Sequence, residues 1–216
     1  MNLPALVIFD MAGTTVEDRG QVPAAFAAAL ADAGIPLTPD QITRVRGASK
    51  REAIRQLLPP DQQSRVKDIY ARFRDKLADE YRTAGVRAID GAGEIFRRLK
   101  DRGCRVALTT GFDRDTALLL LSSLGWTRTI IDAVVCGDDV SNGRPAPEMI
   151  LLAMQLTGVA DAATVANIGD TALDLESGSR AGVKWNIGVL SGAHRRETLE
   201  RAPHTHIIES IEELLF

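Results

Sequence analysis

The chain has 216 residues, 45% of them hydrophobic and 25% charged, with a formal net charge of −3. This is the composition of an ordinary globular protein, long enough for one large core and a modest second domain. The small negative charge argues against nucleic acid or an anionic membrane as partner, and no apolar run approaches the roughly 20 residues of a membrane helix.

The first element is the most informative. Leu6-Val7-Ile8-Phe9 is apolar at every position and runs into Asp10, followed by the small turn Met11-Ala12-Gly13-Thr14-Thr15. An unbroken apolar run suits a parallel strand covered on both faces. Nothing basic or signal-like precedes it, so the chain is expected in the cytoplasm. From Val16 to Thr83 the pattern is helical. An Ala-rich helix spans about Val22 to Ala33 with Gly34 as C-cap. Thr38-Pro39-Asp40 opens a second helix that ends near Gly47. Ser49 and Glu52 stand at capping-box spacing for a third helix that runs to Leu58. A long amphipathic helix is expected over Asp61 to Arg82, with Val66, Tyr70, Phe73, Leu77 and Tyr81 on one stripe.

Helices and strands then alternate. Gly91 to Arg102 is a helix, and Arg105 to Thr110 a strand. Asp113 caps a helix to Leu124, and Ala133 to Cys136 is a strand. Pro147 opens a helix ending near Gly158. The strand Thr164 to Ile168 runs into Gly169-Asp170, and Leu173 to Ala181 is a short helix. A strand from Trp185 to Leu190 follows, and a last helical segment from Ser210 to Phe216 has Ser210 and Glu213 at capping-box spacing. This order predicts an α/β fold: a Rossmann-like, doubly wound parallel sheet with a helical domain inserted after the first strand. The predicted core is 1–15 with 84–216, and the predicted cap is 16–83. Cys104 and Cys136 are isolated and lack metal spacing, which suits reduced core thiols. His194, His204 and His206 fall in the last stretch, where surface or packing roles are expected.

Sheets of this kind bind ligands beyond the carboxyl ends of their strands. Four such ends carry polar residues: Asp10; Thr109-Thr110 before Gly111; Gly137-Asp138-Asp139 with Asn142-Gly143-Arg144; and Gly169-Asp170-Thr171 with Asp174 four residues after Asp170. Each has an ordinary alternative, as cap or solvated loop. Together, carboxylates converging at one edge repel one another unless a cation sits among them, and a hard divalent ion such as Mg2+ prefers oxygen ligands. A hydroxyl donor (Thr110) and a permanent cation (Arg144) suit a phosphate or phosphonate.

In this order and spacing, Asp10 to Thr14, Thr110, Arg144 and Gly169-Asp170-Thr171-Ala172-Leu173-Asp174 resemble the haloacid dehalogenase superfamily of aspartyl-phosphate hydrolases. The resemblance covers essentially the whole chain. It implies Asp10 as nucleophile, and Mg2+ held by Asp10, the Ala12 carbonyl and Asp170, with Asp174 ordering the site. It also implies Thr110, Gly111 and Arg144 on the transferring group. Most phosphatases of the superfamily carry a second Asp where this chain has Ala12, and losing a positioned acid costs an ester reaction roughly two to four decades. Asp10-Met11-Ala12-Gly13-Thr14-Thr15 and Gly143-Arg144-Pro145 resemble the phosphonatase branch, whose reference substrate is phosphonoacetaldehyde. There a cap lysine forms a Schiff base, and the leaving carbon needs no such acid. Lys50 stands at the matching place, with Arg46 and Arg51 near enough in sequence to depress its pKa. Ala53, Arg46 and Phe112 depart from that branch's His, Met and aromatic hydroxyl. Lys50 and Arg46 are therefore open to two roles, imine chemistry or simple substrate binding. The rival readings are a phosphomonoesterase of the phosphoglycolate phosphatase type and a non-catalytic phosphometabolite-binding protein. The expected partner is a small phosphorylated or phosphonate substrate, and the chain is expected as a monomer or homodimer.

Overall fold

The computed structural model describes residues 3–214, apart from the side chain of Arg44. Its centre is a six-stranded, all-parallel sheet: β1 (Leu6–Asp10), β2 (Arg105–Thr109), β3 (Ala133–Val135), β4 (Val165–Gly169), β5 (Trp185–Val189) and β6 (His206–Ile208). The strand order is β3-β2-β1-β4-β5-β6. The direction of winding reverses beside β1, which pairs with β2 on one side and β4 on the other. A crevice opens at such a switch point, beyond the carboxyl ends of the strands.

All five residues of β1 are buried, and alternation along the strand sends them to two faces. Val7 and Phe9 join one apolar cluster, with Phe96 of α5 (Ala92–Asp101) and Leu120 of α6 (Arg114–Ser123). Leu6 and Ile8 join another, with Met149, Ile150 and Ala153 of α7 (Glu148–Thr157). Phe9, Phe96 and Trp126 form an aromatic cluster on the first face, tilted and edge-on, with centroid separations of 5.2 Å and 5.0 Å. Covering both faces is the reason the strand reads as an uninterrupted apolar run. After β4 comes α8 (Ala172–Ala181), and after β5 the short α9 (Arg196–Leu199).

Between β1 and β2 lie α1 (Gln21–Ala31), α2 (Pro39–Arg44), α3 (Lys50–Leu57) and α4 (Val66–Ala84). Phe26 of α1 meets Phe73 of α4 edge-on at 5.8 Å, within a stripe that also buries Val66, Ile69, Tyr70, Leu77 and Tyr81. The chain leaves and re-enters the sheet layer through adjacent strands of backbone. Glu17 N–H donates to the Arg87 carbonyl at 3.0 Å, and Ile89 N–H donates to the Thr15 carbonyl at 2.9 Å.

Several elements differ from expectation. The long helix is broken: Pro60–Arg65 is a 3-10 turn and α4 begins only at Val66. Gln63 donates to the Arg55 and Leu58 carbonyls and holds that turn against α3. Thr38 and Gln41 form a complete capping box. Ser49 makes only half of one, because Glu52 pairs with Arg55. Ser210 accepts from Glu212 N–H rather than forming the expected box with Glu213, and it opens only a 3-10 turn, Ile211–Glu213. Leu215 and Phe216 of that expected segment lie outside the described residues. Strand β6 was unanticipated, because three half-polar edge residues leave no periodicity to read. Cys104 and Cys136 are free and buried, as expected. No helix among the described residues is long and apolar enough to cross a membrane.

Candidate active site

The carboxyl ends of β1, β2 and β4 deliver Asp10, Thr110 and Asp170 to one cavity of about 630 Å3, open solvent at its mouth included. The same cavity is lined by Ala12, Gly111, Arg144 and Asp174, and by Arg46 and Lys50 from the insert. Asp10, Ala12, Arg46, Lys50, Thr110, Gly111, Arg144, Asp170 and Asp174 therefore face one space, although the chain brings them from segments up to 164 positions apart; Thr109, Asp138, Asp139 and Asn142 of the same strand ends do not line it.

Arg144 is the hub. It is buried, and its fork reaches three partners: Asp10 Oδ1 at 2.7 Å, Asp174 Oδ1 at 2.8 Å and Thr109 Oγ1 at 2.7 Å. Burial alone would lower the guanidinium pKa, but Asp174 and Asp10 outweigh it and hold the group charged. Thr109 was nominated only as a neighbour of Thr110, and the structure makes it the guanidinium's third anchor. Thr110 is also buried, and its hydroxyl accepts the Phe112 N–H at 3.2 Å.

The three carboxylates line this one cavity, but they are not equally free. Asp174 turns its Oδ1 to Arg144, and its Oδ2 accepts the N–H and hydroxyl of Thr171 at 3.0 Å and 2.5 Å. Thr171 and Asp174 together form the capping box of α8, so helix initiation fixes the carboxylate. All three still burden one another: Asp174 acts on Asp10, and Asp10 and Asp174 both act on Asp170. Burial raises the Asp10 pKa to about 7 against the pull of Arg144, with Asp174 reinforcing the rise. Burial and the Asp10 charge push Asp170 well above the usual carboxylate range. Buried carboxylates that raise one another in this way fit a hard cation, which would remove that penalty. Among the described residues, the group of three metal-type side chains with ligand atoms within 4.8 Å of one another is Cys136, Asp138 and Asp139. That loop is already satisfied internally: Asp139 accepts from Cys136 N–H and pairs with Arg114, whose N–H also donates to Asp138.

A loop after β5 closes over Asp170, a feature the sequence reading missed. Asp170 Oδ2 accepts the Ala193 N–H at 2.6 Å, and Oδ1 accepts the Thr14 hydroxyl at 3.3 Å. A Cβ at Gly13 or at Gly192 would lie 2.4 Å or 2.1 Å from Asp170 Oδ2, so both positions need glycine to admit the carboxylate. His194 is not outside the motif loops as expected. Its Nδ1 accepts the Ala172 N–H at 3.0 Å, tying this loop to the start of α8. Burial lowers its pKa, with Asp174 opposing and Arg46 reinforcing. The Ser191-Gly192 pair was the available signal.

Lys50 begins α3, and its Nζ donates to the Ala48 carbonyl at 3.3 Å. Burial lowers its pKa; Asp10 and Asp18 oppose the shift and Arg144 reinforces it. The expected cause, repulsion from Arg46 and Arg51, gives way to desolvation. Arg51 instead stacks on the Tyr70 ring at 5.0 Å. Asp18, also missed, lines the cavity from the linker, with its Oδ1 accepting the Gly20 and Val22 N–H groups. The insert sits hard against the sheet edge. A Cβ at Gly47 would fall 2.4 Å from Thr171 Oγ1, and one at Gly111 would fall 3.0 Å from the Ala48 carbonyl. Arg74 of α4 pairs with Asp113, the N-cap of α6, at 2.8 Å.

A profile of haloacid dehalogenase-like hydrolases matches residues 7–189, and the chain belongs to that family of enzymes. Within it the chain is similar to curated relatives of two kinds. It is 34% identical to a protein named probable phosphatase IndB from Dickeya dadantii (strain 3937), over 97% of this chain and 91% of that one. It is 33% identical to phosphonoacetaldehyde hydrolase from Bordetella avium (strain 197N), over 85% of this chain and 70% of that one. The fold matches a phosphonoacetaldehyde hydrolase-like protein from Oleispira antarctica at TM-score 0.85, 23% identity, and coverage of 98% of this chain and 90% of that one.

Proposed function

We propose that this enzyme is a Mg2+-dependent, phosphonatase-like hydrolase that acts through an aspartyl-phosphate on a small phosphonate or phosphate metabolite. The observation that carries this reading is the buried Asp10–Arg144–Asp174 chain opening onto a cavity shared with Lys50, with Ala12 where an acid would stand. An oxygen of Asp10 attacks phosphorus, and the leaving group departs with the electron pair of its bond. Water then attacks the phosphorus of the aspartyl-phosphate, releasing phosphate and restoring the carboxylate. Arg144 holds Asp10 in place and offsets the negative charge that nucleophile and substrate bring together. Thr110 and the Gly111 backbone would bind the transferring group. The carboxylates of Asp10 and Asp170 and the Ala12 carbonyl would hold Mg2+, with Asp174 ordering the site through Arg144 and Thr171. When bound, the ion neutralises charge on the phosphoryl oxygens.

Residues 16–83 act in this reading as a cap on a core of 1–15 and 84–216, hinged near Val16–Asp18 and Thr83–Arg87. Closing it excludes water from the reaction. Without an acid at Ala12, the leaving group must be stabilised in another way. With phosphonoacetaldehyde, the Lys50 amine condenses with the aldehyde, water leaves, and the protonated imine takes the phosphorus–carbon electron pair as an enamine. The desolvated Lys50 suits that step. Similarity to a protein named as a phosphatase supports an ester substrate instead, with Lys50 and Arg46 as binding cations.

The test is phosphate release from phosphonoacetaldehyde and from small phosphate esters side by side. Release should be lost with EDTA, restored by Mg2+, and absent in Asp10→Asn. Borohydride inactivation at Lys50 with the aldehyde, and no activity in Lys50→Arg, mark phosphorus–carbon cleavage. Ester turnover that tolerates Lys50→Arg marks the phosphatase. Ligand binding without any Asp10-dependent release would overturn the hydrolase reading.

A further inference from the structure

The two walls of the cavity differ in chemistry. The sheet edge supplies the charged and hydroxyl groups. The insert supplies Val22, Pro23 and Phe26 from α1, Ile42 from α2 and Val45 just after it. Among the described residues lining the insert side, none is a Ser, Thr, Asn, Gln, Tyr or His. Its polar side chains are Asp18, Arg46 and Lys50. Asp18 already spends Oδ1 on two backbone N–H groups. A polyhydroxylated body such as a sugar or glycerol would have only Asp18, Arg46 and Lys50 to meet its hydroxyls, and those facing the remaining apolar carbon would be unfavourable when water is excluded.

We infer that the non-transferred half of the substrate is an apolar body, aliphatic or aromatic, seated on Val22, Pro23, Phe26, Ile42 and Val45. This deepens the hydrolase reading and rests on it for the position of the phosphoryl group. Ala12 agrees with it. In an aryl or enol ester, the phosphorus–oxygen electron pair ends on a delocalised oxide that needs no side-chain acid. In a 2-oxophosphonate with an apolar substituent, the pair ends on the Lys50 enamine. Both share an apolar body on a phosphoryl group, and turnover separates them: phenyl phosphate for the first, phenacylphosphonate for the second.

Calorimetry with Mg2+ and inert phosphonates tests the apolar wall directly. Phenylphosphonate and butylphosphonate should bind about tenfold or more tightly than methylphosphonate and 2,3-dihydroxypropylphosphonate. Ile42→Asn and Val45→Thr should each narrow that ratio. Equal affinity for the butyl and dihydroxypropyl compounds, or a ratio unchanged in both variants, overturns the inference. Asp10-dependent phosphate release, measured separately, keeps the two claims apart. Release with no apolar preference in binding sinks the apolar wall and spares the hydrolase. Apolar preference with no Asp10-dependent release keeps the apolar wall and sinks the hydrolase.

Discussion

The sheet-edge wall and the insert wall of the cavity solve opposite problems. At the sheet edge, buried charges are unavoidable, so nearly every polar atom is tied: Arg144 to three partners, Asp174 to Arg144 and Thr171, Asp170 to Ala193 and Thr14. Such a network holds side chains where chemistry needs them, and breaking one member strands the others. The insert wall is mostly carbon and carries few fixed polar contacts. Apolar packing tolerates changes of shape, so substitutions there should disturb the buried charge network less. In the proposed reading the sheet edge carries the phosphoryl chemistry, and the insert sets the substrate and adds Lys50.

Substitutions at the sheet edge should therefore be catastrophic and those at the insert graded. Asp10→Asn removes the nucleophile and should lower phosphate release by roughly four or more decades while the protein stays folded, read by single-turnover assay and circular dichroism. Arg144→Lys keeps the charge but loses the planar fork that spans Asp10, Asp174 and Thr109. It should cost about 3 kcal/mol in urea unfolding and roughly 100-fold or more in kcat/KM. Activity near the parent level would show that the fork is not the organising element. Gly47→Ala is smaller in scale. It places a Cβ against Thr171 at a backbone φ of +80°, so the insert cannot seat on α8. A fall of about tenfold in kcat/KM is expected, with kcat and KM moving together.

The smallest effect should come from Arg74→Met, which removes the ion pair between α4 and the start of α6. Burial alone would raise the Asp113 pKa, but the Thr116 and Arg74 hydrogen bonds outweigh it and hold it below the ordinary value. A depressed folded pKa contributes stability above the unfolded value and loses it as pH falls through the folded one. Arg74 is about a third exposed, so screening limits the loss to about 0.5–1 kcal/mol at pH 7. Thermal unfolding of parent and variant should differ at pH 7 and converge only as the pH falls below the ordinary carboxylate range, through the depressed Asp113 pKa. A gap that persists at low pH would mean that Arg74 acts through packing.

Much of this was legible in the residues. Leu6 to Phe9, apolar at every position, required a strand buried on both faces, and Asp10 at its end had to meet solvent or a ligand. Spacing alone related Asp170 to Asp174, and Ala12 announced a missing acid before any contact was known. What the sequence could not decide was set by groups that meet only through the fold. Whether Asp174 faces an ion or Arg144 depends on the capping box of α8 and on a guanidinium 30 residues earlier in the chain. That Thr109 anchors Arg144, that a glycine pair from distant loops cradles Asp170, and that His194 lies beside α8 are likewise long-range matters. No local periodicity encodes them. The pKa of Lys50 shows the same division. Neighbouring arginines in the sequence pointed to repulsion, but desolvation comes first, because burial is a property of how the insert packs on the sheet edge rather than of the segment that carries the lysine.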